Sequence, residues 1–366
     1  MQGPRSPEAN EFLTVVEFLN HNLRHDNAWT ITSEYPTALS TNNIHNMSII
    51  TEDEKIVSHA VLKPIIVKTP FCILKIGAIG SVVTDPQHRQ KGLSRKNIEN
   101  CLELAKRQDC DMVVLWTDQF DFYRKFGFEL AGFEETYQLT NKLTITNPNL
   151  KFMTDNKVDP SALLKLFSQH TVNSVRTVED IRNFLKIPNS NLYTAWNEHN
   201  QLVAYAAEGK GADLANYVHE WAGNVDSLLD LFAFMQSKQT TSDAPLTIMV
   251  PSHSTNLRSK LEPVCTTSHE GYLGMLKIIN YDSILTKIKK AFRAEGHELI
   301  VFEKQPDQIV FGYGTDLYTI NNEADLVQLL FGPLKPQNLE FIKPETQQKL
   351  ATLLPLPLWI WGWDSI

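Results

Sequence analysis

The sequence predicts a mixed α/β (α+β) protein of two or three domains. Short apolar runs of strand length alternate with segments whose apolar residues recur at i, i+3, i+4 and i+7. At 366 residues the chain exceeds one ordinary domain. A hairpin-like layout at residues 46–60 also recurs at 191–207, about 145 residues downstream.

The first helix carries Phe12, Val15, Val16 and Leu19 on one face, with Ser6 as its cap and Pro7 at its first position. Residues 46–50 and 56–67 read as two strands joined across the acidic turn Thr51-Glu52-Asp53-Glu54. A strand over 71–83 follows and breaks at Asp85-Pro86. The next turn, Arg89-Gln90-Lys91-Gly92-Leu93-Ser94, is basic and opens a helix with Ile98, Cys101, Leu102 and Ala105 on one face. Strand, turn and helix together make an anion site. Successive backbone N–H groups and the positive helix end point at one spot, and Gly92 lets a phosphate approach the backbone. Taken alone, the same residues also read as an ordinary turn with basic side chains in solvent. The apolar run 111–116 reads as a buried strand, and 117–128 as a short helix carrying Tyr123 and ending at Gly127. Residues 135–143 alternate polar and apolar side chains and are expected to close the first sheet. The segment 144–149, with two asparagines and a proline, leaves this domain.

A second pass then begins. Asp159-Pro160 caps a helix with Leu163, Leu164 and Phe167, and Thr177 to Asp180 resembles a capping box ahead of Ile181, Phe184 and Leu185. After the repeated hairpin, 215–222 takes the place of the strand that precedes the basic turn. The turn that follows it has neither the arginine nor the spaced glycine, so the phosphate cradle is lost there. His219 and Glu220 are adjacent on a strand, so at most one of them lines a given cleft. From residue 274 the pattern changes again. A helix carries Ile284, Leu285, Ile288 and Phe292, a hairpin joins 298–303 to 309–313, and Asn322 caps a helix with Leu326, Leu329 and Leu330 that ends near Gly332. In the tail, 353–366, Trp359, Trp361 and Trp363 share a face if the segment is extended. Burial is expected, since unpacked termini are disordered; a membrane-interface or partner patch is the competing reading.

The order V-V-T-D-P-x-x-R-x-x-G-x-S over 82–94, then a helix, a buried strand and F-Y-x-x-x-G-F over 122–128, resembles the GNAT superfamily of acyl-CoA-dependent N-acyltransferases. Arg89 and Gly92 match that family's [Q/R]-x-x-G-x-[G/A] pattern; Ser94 departs from it but is small. The resemblance implies a GNAT fold with a mixed, partly splayed sheet, a turn that binds the CoA pyrophosphate, and a tyrosine that protonates the leaving thiolate. The whole layout resembles Eis-type (enhanced intracellular survival) acetyltransferases. It divides into a GNAT domain at 1–146, a degenerate GNAT-like domain at 147–272, and a sterol-carrier-protein-like α+β domain at 273–366 whose tail reaches the active site.

The expected cofactor-binding residues are Val82, Val83, Thr84, Arg89, Gln90, Lys91, Gly92, Leu93, Ser94, Arg95, Asp118 and Gln119. The N–H groups of 90–95 donate to phosphates, Arg89, Lys91 and Arg95 add positive charge, and the edge of 82–84 offers an N–H to the thioester oxygen. Tyr123 is the candidate acid, its ordinary pKa near 10 being close to that of a thiolate leaving group. It could instead be a core aromatic beside Phe120, Phe122 and Phe126, but the motif match favours the catalytic role. No carboxylate lies on strand 77–83. The Eis resemblance assigns the base to the main-chain carboxylate of Ile366, with Glu220, Asp118 or a water relay as alternatives. Acetyl-CoA is the expected co-substrate, a cationic amine or lysine-containing compound the expected acceptor, and no metal is expected.

Composition is that of an ordinary globular chain, 42% hydrophobic and 21% charged. The net charge of −8 argues against a nucleic-acid partner. The four cysteines lack metal-ligand spacing and read as free thiols. No signal-like or membrane-spanning run is present, so a cytoplasmic setting without membrane insertion is expected, with a homo-oligomer left open. The rival class is a non-catalytic CoA- or lipid-binding sensor, which has no need of the Tyr123 helix.

Overall fold

The structure, a computed structural model, describes residues 1–239, 245–265 and 267–366. Three sheets organise these residues. The first has the order Gln2–Arg5, Met47–Glu52, Lys55–Lys68, Ile73–Thr84, Met112–Leu115, Gly274–Ile278, Glu129–Ala131, with Asn173–Ser174 paired to Lys55–Lys68. Its middle strands are apolar on both faces because helices cover both. Ala60, Leu62 and Ile79 pack with Ile98, Cys101 and Ala105 of helix Leu93–Arg107. Val61, facing the other way, joins Val15 and Leu19 of helix Phe12–Leu23.

Two irregularities in strand Ile73–Thr84 create room for a site. It runs parallel to Met112–Leu115, but the pairs are only Ile76 with Met112, Gly77 with Val113 and Ala78 with Val114. Beyond Ala78 that edge loses its partner. On its other edge the register with Lys55–Lys68 shifts between the pairs His59 with Val83 and Val61 with Gly80, and Ser81 takes φ +48°. This bulge bends the strand away just before the basic turn.

The second sheet has the order Thr267–Gly271, Glu134–Leu139, Leu246–Pro251, Asp213–Gly223, Leu202–Lys210, Asn191–Trp196, Lys151–Thr154. It repeats the first: an antiparallel hairpin, a strand, the crossover helix Val225–Lys238, then the parallel strand Leu246–Pro251. Glu134–Leu139 does not close the first sheet as expected. It lies in the second, antiparallel to Leu246–Pro251, while Gly274–Ile278 fills the equivalent place in the first, between Met112–Leu115 and Glu129–Ala131. The two sheets thus exchange one strand each.

The third sheet is Ile300–Lys304, Ile309–Tyr313 and Asp316–Ile320, with helices Tyr281–Ala294, Glu323–Phe331 and Pro344–Leu350 nearby in sequence. The third strand was not foreseen. At the N-terminus the helix entry also differs. Glu8 and Glu11 form the capping box of a short 3-10 turn leading into Phe12–Leu23, and the Ser6 hydroxyl donates instead to the His45 carbonyl. The caps at Asp159, Thr177 and Asn322 are as the sequence predicts. Among the described residues no helix is long and apolar enough to cross a membrane.

Candidate active site

The turn after strand Ile73–Thr84 is held by side chains before it presents its backbone. Asp85 accepts from the Gln87 amide at 2.8 Å and starts the short turn Pro86–His88. His88 bridges Asp85 at 3.0 Å and Glu52 at 2.7 Å, and the two carboxylates, Asp85 first, hold its pKa above the ordinary value. Gln90 (φ +63°) and Gly92 (φ +73°) then take left-handed backbone, a conformation that gathers successive N–H groups into an anion-binding concavity. No side chain caps the helix that starts at Leu93, so none competes for its first amides. A Cβ placed on Gly92 would meet nothing within 4 Å. The space beside this backbone is open, which fits a phosphate.

Ser94, the departure from the family pattern, has a local role. Its hydroxyl lies 2.8 Å from that of Thr84, which is 2.8 Å from Ser58. Asn97 donates to Ser58 at 2.9 Å and accepts from Ser48 at 2.8 Å. This buried chain of hydroxyls and amide ties the helix start to the sheet and satisfies groups that would otherwise cost free energy inside the core.

A cavity of about 670 Å³ opens over this wall. All the expected cofactor-binding residues line it except Lys91 and Asp118, which are exposed nearby. His88, Asn22, Leu23 and Phe122 also line it and were not foreseen. Tyr123 reconciles its two readings. Its ring packs edge-on against Phe122 at 5.0 Å and Phe128 at 6.0 Å, yet it also lines this cavity. Burial, with a smaller contribution from Cys101, pushes its hydroxyl up to about 12, so it holds a proton at any physiological pH.

A second cavity, about 770 Å³, shares Leu23 and Val82 with the first. The chain end closes one side of it. Ile366 lies against Gly80, where an added Cβ would sit 2.9 Å from the terminal carbonyl carbon. The tail is anchored by groups whose roles the sequence did not announce. Buried Lys210 donates to the carbonyls of Gly362 at 2.8 Å, Trp363 at 3.4 Å and Ser365; burial lowers its pKa to about 8, with the Asp364 charge opposing. Arg176 pairs with Asp364 at 2.7 Å and with Glu220, while its guanidinium stacks 3.7 Å from the Phe167 ring. Trp361 packs edge-on to Trp221 at 5.2 Å, Trp363 stacks on Tyr205 at 6.2 Å, and all three tail tryptophans are buried. Each indole stabilises by roughly 4–5 kcal/mol on burial, enough to offset ordering two to four residues at about 1–2 kcal/mol each. The tail is therefore a fixed part of the fold. His219 and Glu220 do face opposite ways: His219 lines the cleft and Glu220 lies behind it on Arg176.

Residues 5–131 match the family model described as acetyltransferase (GNAT) domain. No curated protein matches the chain in sequence. Solved structures share its fold at low identity. A GCN5-related N-acetyltransferase from Anabaena variabilis is 14% identical, covers 99% of both chains and gives a TM-score of 0.68. A probable N-acyltransferase from Enterococcus faecalis is 13% identical over 97% of this chain and 96% of its own, with a TM-score of 0.62. Eis1 from Mycobacterium abscessus is 11% identical over 99% of both chains, also at 0.62. The fold is thus a GNAT-like, multi-domain α+β fold, with an acetyltransferase (GNAT) domain at residues 5–131.

Proposed function

We propose that the protein is an acetyl-CoA-dependent N-acetyltransferase acting on an amine, in the cytoplasm, with the Eis-type division into domains at 1–146, 147–272 and 273–366. The observation that carries this reading is the meeting of two cavities at one bulged strand. The phosphate-type cradle and Tyr123 lie on one side, and the Ile366 chain end lies on the other, joined through Val82.

In this reading the N–H groups of 90–95, with Arg89 and Arg95, hold the pyrophosphate. The unpaired edge of the strand beyond Ala78 offers N–H groups to the acyl oxygen, where negative charge develops during transfer. Ile366 takes the ammonium proton through its carboxylate; among the described residues no cation lies within ion-pair distance of it, which leaves it available. As the new C–N bond forms and the C–S bond breaks, Tyr123 hands its proton to the departing thiolate. Burial keeps that proton on Tyr123 until the thiolate departs beside it.

The test is release of free CoA thiol from acetyl-CoA across an amine panel, beside calorimetric CoA binding. Tyr123→Phe is expected to lower kcat by about 10²–10⁴-fold, the usual size of a general-acid contribution, with CoA affinity kept. Binding of CoA with no amine-dependent release would make the protein a CoA sensor instead.

A further inference from the structure

The second cavity carries a chemical signature of its own acceptor. Trp116, Phe120, Tyr217, Tyr272 and Trp359 all line it. Phe120, Tyr217 and Tyr272 are 37%, 40% and 44% exposed, although they come from a helix start, a strand and a turn far apart in sequence. Single exposed aromatics need no explanation, but several converging on one concave wall leave apolar surface that a ligand would cover.

Its charges are few. Asp213 is already bonded to the Tyr35 hydroxyl and lies 3.4 Å from Arg24, and Arg24 in turn holds Glu34 at 2.8 Å. Glu134 is half-buried and, among the described residues, no hydrogen bond or ion pair reaches its carboxylate; burial alone pushes it up to about 7. A bound cation would restore its charge. The cleft therefore keeps two uncommitted carboxylates, Glu134 and the chain end. That is too little negative charge to desolvate a polycation, and it sits inside a large aromatic wall.

Resting on the acyl-transfer reading above, we infer that the acceptor is an amine bearing one or two positive charges on a flat apolar body, such as a benzene or indole ring. The ring lies among Trp116, Phe120, Tyr217 and Tyr272, and the ammonium end meets the free carboxylates. Stacking of a ring on aromatic side chains adds to its burial, so discrimination against an open-chain amine is about tenfold or more.

The experiment compares kcat/KM, by thiol release from acetyl-CoA, for phenethylamine, tryptamine, n-butylamine and spermidine. Phenethylamine and tryptamine are expected to exceed both aliphatic amines at least tenfold. In the double variant Tyr217→Ser/Tyr272→Ser, whose side chains are too exposed to hold the core together, the tryptamine-to-butylamine ratio is expected to fall about tenfold. Because a ratio is read, partial loss of folded protein cancels. Acetylation of spermidine or butylamine as efficiently as the aryl amines, or an unchanged ratio in the variant, overturns this inference and leaves acyl transfer standing. No release with any amine despite CoA binding overturns both.

Discussion

Gly80 shows how one missing side chain shapes the site. Its Cα faces the chain end so closely that a Cβ would sit 2.9 Å from the Ile366 carbonyl carbon and 2.9 Å from its Cγ1. Gly80→Ala is expected to push the terminal carboxylate aside by several tenths of an ångström. Misplacement of that order lowers kcat by about 10–100-fold, while the melting point changes little because only a chain end moves. Unchanged kcat would remove Ile366 from the mechanism. Buried histidines weaken the fold in acid, and His59 and His219 are the most deeply buried of them. Burial holds His59 at about 4 and His219 at about 3, and both are essentially unexposed. Their folded pKa values lie below the unfolded value of 6.5. Between pH 6.5 and about 4 the unfolded chain therefore binds protons that the folded chain refuses, and stability falls as pH falls. At pH 5 each ring costs roughly 2 kcal/mol. In a Glu134→Gln background, which removes the half-buried carboxyl that titrates in the opposite sense near 7, urea midpoints should drop between pH 6.5 and 5; equal midpoints at those two pH values would mean the rings charge in place. Neither His59 nor the Gly80 contact was legible in the sequence. Both depend on a bulge at Ser81 that the motif spacing does not encode.

At the scale of elements, local chemistry was readable and partnership was not. The caps at Asp159, Thr177 and Asn322, the two hairpins and the basic turn each follow from neighbouring residues, because a cap or a tight turn is satisfied within a few positions. Strand Glu134–Leu139 shows the limit. Its alternation announces two faces, but either sheet offers the same ladder of N–H and C=O groups, so the sequence does not say which one it joins. The tail is a similar case. Its tryptophans predict burial, whereas Lys210 and Arg176, the residues that hold it, lie more than 150 positions away in the chain. Lys210→Met would leave the Gly362, Trp363 and Ser365 carbonyls without their shared donor. The expected result is a loss of turnover exceeding tenfold and a stability loss of about 1–3 kcal/mol, with CoA affinity retained because the cradle lies on another wall. A tail that merely fills space would show the stability loss without the extra fall in kcat of the folded fraction.

For the whole molecule, the exchange of strands decides what can fold alone. The repeat, about 145 residues long, suggests two independent GNAT-like units. The structure joins them, since the second sheet takes Glu134–Leu139 from the first segment and the first sheet takes Gly274–Ile278 from beyond residue 272. Cut after residue 146, the first segment loses Gly274–Ile278. The apolar strand Met112–Leu115 then becomes an open edge, and Glu134–Leu139 has no sheet to enter. An exposed apolar edge of this kind pairs with other chains. Residues 1–146 expressed alone are therefore expected to aggregate or to lack near-ultraviolet dichroism, even though they contain the entire phosphate-type cradle. Co-expression with 147–366 should restore a soluble complex that binds CoA, because both exchanged strands are again available. In the intact protein, far-ultraviolet dichroism and tryptophan fluorescence should report one coincident unfolding transition, the expectation for units that share interior strands. A fragment 1–146 that folds by itself with full CoA affinity would show that the borrowed strand is dispensable, and the two segments would then count as separate domains.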